Sequence, residues 1–171
     1  MGAFEVSWPQ QQLEHHFQPA RALRCFAQRP HSLHALLENA VAVHPNGTAL
    51  VCDDTRLSYS ELNQRVGQLA AGWQQLGVKP GDRVAAQTEK SVPGLVLYLA
   101  AVRAGAVYLP LNTAYQSSEI EYFIGNAEPS VVVCSGKNFG WVSKIAFKAG
   151  TEHVFTLNDA RTGSLLERAA W

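Results

Sequence analysis

Cysteine is scarce in this chain of 171 residues. Cys25, Cys52 and Cys134 are an odd number at wide spacings, with no C-x-x-C pair, so a disulfide framework is not expected. Cys52 and Cys134 each end an apolar run, where a buried thiol acts as a small hydrophobe. Net charge is lacking too. Fourteen basic residues balance fourteen acidic ones, which leaves no overall field to draw in nucleic acid or an anionic membrane. The aromatic residues do not line up with basic ones, so a nucleic-acid footprint is absent as well. There is no internal repeat and no low-complexity tract. The one long apolar stretch, Val92 to Leu111, has about the length of a membrane span, but Arg103 lies inside it and Gly105 divides it into a helix-like and a strand-like half. It is not a span. Apolar residues at 47% against 16% charged exclude a disordered chain and agree with a sheet covered on both faces. The length suits one domain and is too short for two ordinary ones.

The stretch from Val78 to Asn112 organises the rest. It opens on a Pro80-Gly81-Asp82 turn. Arg83 to Gln87, with Val84, Ala85 and Ala86, reads as a short strand buried on both faces. Ser91 caps a helix with Pro93 in its first turn. Leu95, Val96, Leu99, Ala100 and Val102 surround that helix with apolar groups, and Arg103 is left for the outer face. Gly105 stops it. Val107-Tyr108-Leu109 then forms a second strand, which Pro110 is expected to break. Strand, helix, strand at this length is a right-handed crossover in a parallel sheet.

Around this unit, residues 1–30 show no sustained period and are read as an extension of low order. Arg21, Arg24 and Arg29 hint at an organelle transit peptide, while Glu5, Glu14 and the few serines speak against it. A cytoplasmic protein is expected, with a mitochondrial one as the alternative. Ser32 caps a helix whose Leu33, Leu36, Leu37, Ala40 and Val41 recur at helical spacing. Thr48 to Cys52 and a return strand through Leu57 form a hairpin about Asp53-Asp54. Ser58 and Glu61 make a capping box for a helix through Leu62, Val66, Leu69, Ala70 and Trp73, which ends at Gly77. Ser117 or Ser118 caps a helix with Ile120, Phe123 and Ile124 inward. Val131 to Val133 is a third parallel strand, Phe139 to Lys148 a helix, Val154 to Thr156 a fourth strand and Ser164 to Ala169 a last short helix. This alternation predicts an α/β fold, a partial doubly wound parallel sheet with flanking helices.

The string VRAGAVYLPLN, from Val102 to Asn112, resembles the second core motif of the adenylate-forming enzymes, the superfamily of acyl-CoA synthetases, peptide-synthetase adenylation domains and luciferases. Leu57-Ser58-Tyr59-Ser60-Glu61-Leu62 is similar to the first core motif, and VKPGDRVA to the usual link between the two. AAQTEKSVPGLVLYLAAVRAGAVYLPLNTAY is most similar to the malonyl-CoA synthetases. The resemblance covers roughly residues 32 to 170 and is far more specific than any short motif. It implies an AMP-forming acid-thiol ligase that uses ATP, Mg2+ and coenzyme A on a small carboxylic acid, malonate above all, through an acyl-adenylate. It also implies that residues 31–171 are the N-terminal part of the AMP-binding domain, because the family's phosphate loop, TSGTTG-x-x-KG, belongs beyond Trp171. The other active-site groups of the family lie downstream too.

No residue of this chain is therefore expected to be catalytic, cofactor-binding or metal-binding. Ser135-Gly136-Lys137 is the nearest string to a phosphate loop, but it lacks the Gly and Thr run and reads as a surface turn. His31 and His34 share a helix face without a completing ligand, and His15-His16 is weaker. Glu89, Lys90 and Ser91 follow a strand at its carboxyl end, where doubly wound sheets place ligands; helix capping by Ser91 and solvated Glu89 and Lys90 are the plainer reading. Tyr108 reads as packing, and Asn112 as shaping the exit turn. Two other functions stay open: a non-catalytic binding or regulatory module that pairs with a complementing C-terminal segment, and a synthetase acting on a medium-chain or aryl acid.

Overall fold

A computed structural model describes residues 33–158, 160 and 162–169. The proposed extension 1–30, with His15, His16 and Cys25, lies outside the described residues, as do His31 and the Ser32 cap.

Helix α1 (Leu33–Val43) leads into a hairpin of β1 (Thr48–Cys52) and β2 (Thr55–Ser58). The turn places Asp53 at φ 50°, a left-handed conformation that a short polar side chain tolerates. Helix α2 (Tyr59–Gln75) starts at Ser58. There the Ser58 hydroxyl accepts from Glu61 N at 3.2 Å and Glu61 accepts from Ser58 N at 2.7 Å, so two otherwise free amides are satisfied reciprocally. Then follow β3 (Arg83–Gln87), α3 (Val92–Arg103), β4 (Val107–Pro110), α4 (Ser117–Ala127), β5 (Val131–Cys134), α5 (Gly136–Lys148), β6 (His153–Thr156) and α6 (Ser164–Ala169).

The four later strands form one parallel sheet in the order β4-β3-β5-β6. Side chains alternate across it. Val84, Ala86, Val131 and Val133 pack with α1, α2, α3 and α6 on one face. Ala85, Val132 and Cys134 pack with α4 and α5 on the other. Strands β3 and β5 are buried on both sides, which is why they read as unbroken apolar runs. Gly105, at φ 77°, ends α3 against the Pro80 turn: its carbonyl accepts from Gly81 N at 2.9 Å, and a Cβ there would come within 3.1 Å of Pro80 Cβ.

Several expectations need correction. Pro110 does not break β4 but ends it, paired with Ala86. Strand β4 lies at the sheet edge, and the amides of Val107 and Leu111 point at β3, so the proline nitrogen falls on the open side where no donor is needed. Helix α4 is capped by Gln116, not by Ser117 or Ser118, with Glu119 accepting from Gln116 N at 3.0 Å. Helix α5 begins three residues earlier than Phe139, directly behind β5. Arg103 does not face outward. Its Nη1 donates to both the carbonyl and the side-chain oxygen of Asn63, each at 3.1 Å, and so ties α3 to α2. Of the apolar face of α1 only Leu37 is buried, while Leu33 and Leu36 are about half exposed. Cys134 is buried as expected, but Cys52 is only half-buried. Among the described residues no helix is long and apolar enough to cross a membrane.

Candidate functional site

In a doubly wound sheet the ligand side is the carboxyl end of the strands, because the loops there are free to converge and the helices begin there. Beyond β3 and β4 that end holds a cleft of about 610 Å³, walled by Thr88, Glu89, Lys90 and Ser91 from the loop after β3, by Tyr108 of β4 and by Asn112 and Thr113 from the loop after it. Ser91 is extended at φ −156°, and its hydroxyl accepts from Gly94 N at 3.2 Å, which caps α3. Glu89 and Lys90 are exposed at the rim. Tyr108 packs edge-on against Tyr98, ring centres 5.1 Å apart. Burial, and after it Tyr98, pushes the Tyr108 phenol up from its ordinary value. Asn112 shapes the exit turn, its Oδ1 accepting from Ala114 N at 3.0 Å.

Sequence reasoning passed over Gln87. It is the last residue of β3, 1% exposed, and its amide bonds at once to the loop after β4 and to the first turn of α5. The available signal was its position as the one polar residue closing an apolar strand that is buried on both faces. A glutamine there must find partners for its amide.

The remaining candidates do not come together. Ser135, Gly136 and Lys137 are not a surface turn but the start of α5. The Gly136 amide already donates to Asn158 Oδ1 at 2.7 Å, Asn138 N to the Ser135 carbonyl at 3.0 Å, and the buried Ser135 hydroxyl finds no partner among the described residues. With these amides spent, the segment does not fit a nucleotide phosphate loop. His34 pairs with Glu38 at 3.0 Å along α1. Among the described residues no three His, Cys, Asp or Glu groups converge as a metal site. Burial pushes the Cys134 thiol up to about 12, which leaves it an inert hydrophobe rather than a nucleophile.

The sequence model for AMP-binding enzymes matches residues 37–168. The chain belongs to the AMP-binding enzyme family. Among solved structures, apo MatB from Rhodopseudomonas palustris is 47% identical with a TM-score of 0.76, over 81% of this chain and 28% of MatB. MatB from the same organism with ATP bound is 44% identical with a TM-score of 0.69, over 81% of this chain and 27% of that one. Among curated proteins, malpinin synthetase of Mortierella alpina is 39% identical over 105 residues, which is 61% of this chain and 1% of that protein. This AMP-binding chain thus spans little more than a quarter of the solved relatives' length. Both core motifs noted in the sequence fall inside the matched region, the first on the α2 cap and the second on α3 and β4.

Proposed function

We propose that this chain is the N-terminal part of an acyl-CoA synthetase similar to malonyl-CoA synthetase. The whole enzyme would join malonate to coenzyme A with ATP and magnesium, giving malonyl-CoA, AMP and pyrophosphate by way of an acyl-adenylate. The observation that carries this reading is the 47% identity to MatB across four-fifths of the chain, beside the resemblance of residues 85–115 to the malonyl-CoA synthetases; the ATP-bound MatB structure supports the nucleotide. The chemical need is activation: a carboxylate repels nucleophiles, and a mixed anhydride with AMP supplies a leaving group. Residues 31–171 serve as scaffold in this scheme. The sheet holds the β3–β4 cleft and the two core motifs in place, and the groups that contact ATP and the acid come from elsewhere in the polypeptide.

The test is AMP release by the product of the whole transcript, assayed with malonate, a medium-chain acid and benzoate. Coenzyme- and ATP-dependent AMP release is expected with malonate in clear preference to the other two. Preference for benzoate or the medium-chain acid would replace malonate as substrate while leaving the ligase class standing, and no AMP release with any acid would remove the class.

A further inference from the structure

With strand order β4-β3-β5-β6, the chain leaves β3 toward one edge and β5 toward the other. The crevice between their carboxyl ends is therefore the switch point where such sheets commonly admit a ligand. Here a loop lies across it. Gln87 and Cys134 end the two strands side by side. From the floor of the crevice Gln87 Nε2 donates to the carbonyls of Asn112 and Tyr115, each at 3.1 Å, and Gln87 Oε1 accepts from Asn138 Nδ2 at 3.2 Å. Among the described residues no other hydrogen bond joins residues 112–115 to the sheet. Leu111 and Tyr115, at the two ends of the loop, pack into the same apolar cluster as Cys134, and Tyr115 stacks on Phe123 at 5.3 Å.

We infer that Gln87 is the clasp of a strap. This one side chain supplies the hydrogen bonds that hold residues 112–115 down over the β3–β5 crevice, beside the stacking of Tyr115 on Phe123, and releasing it lifts the loop and uncovers Cys134 without unfolding the sheet. The physical basis is the asymmetry of the contacts. The strand ladders stay intact when the loop moves, while among the described residues the loop's other hydrogen bonds are local ones, from Ala114 N to Asn112 Oδ1, from Tyr115 N to the Asn112 carbonyl and from Gln116 Nε2 to the Ala114 carbonyl. A segment with few ties to the core opens at lower free energy than the core itself. Asn112 and Thr113 also wall the neighbouring β3–β4 cleft, so one movement changes the shape of both openings. The inference does not depend on which acid the enzyme activates.

The test uses the full chain with Cys25→Ser and Cys52→Ser, leaving Cys134 as the only thiol, and follows its modification by N-ethylmaleimide by mass. Gln87→Leu keeps the volume and removes all three bonds. It is expected to speed modification at least tenfold, at a rate flat in low urea, with the cooperative unfolding midpoint moved far less than that rate implies. Asn138→Ala spares the two carbonyl bonds and is expected to change the rate less than threefold. Unchanged modification in Gln87→Leu, or a rate that rises only in step with global unfolding, would overturn the strap. Should Gln87→Leu fail to fold, hydrogen exchange of the unsubstituted protein decides. The Ala114 and Tyr115 amides are expected to exchange at least a hundredfold faster than those of β5, insensitive to low urea; exchange in common with β5 would end the idea.

Discussion

Arg103 shows how much one side chain contributes to joining elements. Half-buried, it supplies the donors for two Asn63 oxygens, and a Cβ on Gly67 would come within 3.2 Å of its Nη1, so α2 is glycine where the guanidinium lies against it. Arg103→Leu leaves those oxygens without this donor and should cost about 1–2 kcal/mol, read as a lower urea midpoint with unchanged slope. Glu61 gives a pH signature. The Ser58 amide first, then the Ser58 hydroxyl, holds its carboxyl below the usual 4.5. A carboxylate with a lowered folded-state pKa adds stability that is in place above pH 4.5 and is lost as pH falls through the lowered value. Glu61→Gln should therefore flatten the acid limb of a urea-midpoint series in that range, and an acid limb identical to that of the unsubstituted protein would contradict the role. Ser58→Ala removes the partner hydroxyl and should cost about 1 kcal/mol in the same measurement.

Helix α3 is the element on which packing depends most. Val96, Leu97, Ala100 and Ala101 are all at 0% exposure, and the helix is enclosed by the sheet, α1 and α2. The alanines set how closely it approaches, because a protein interior has no room for extra methylene groups. Ala101→Leu should cost about 1–3 kcal/mol through overpacking, and a thermal midpoint equal to that of the original protein would show that space exists. Such elements were legible in the sequence where period and chemistry agree: both-face burial of β3, the strand at Val131 to Val133, the Ser58 box, the Ser91 cap and the Gly105 stop. The misreadings have physical causes. Pro110 was taken for a breaker because strand order, and hence the open side of β4, is not a local property. The start of α4 was placed on serine because Gln116 is a rare cap, although Glu119 three residues on marked the register. Arg103 was sent outward because a charge in an apolar run has no visible partner until α2 lies beside it. Gln87 was missed because its three partners come from a loop and a helix start distant in sequence.

At the scale of the whole molecule, two apolar clusters on opposite faces share one sheet, and among the described residues β4 and β6 are its outer strands. An open edge of backbone donors and acceptors is a surface that more chain can cover. The family match covers residues 37–168, and the described residues include neither a fitting phosphate loop nor a metal cluster. On the function proposed above, this chain holds the framework and other parts of the polypeptide the chemistry. The most direct test is an AMP-release assay on the purified 171-residue chain with ATP, magnesium, malonate and coenzyme A, run on material shown by a cooperative melt to be folded. AMP at the level of the enzyme-free control is expected. AMP formation that requires both malonate and coenzyme A would show that the chain carries the chemistry itself, and would contradict that expectation.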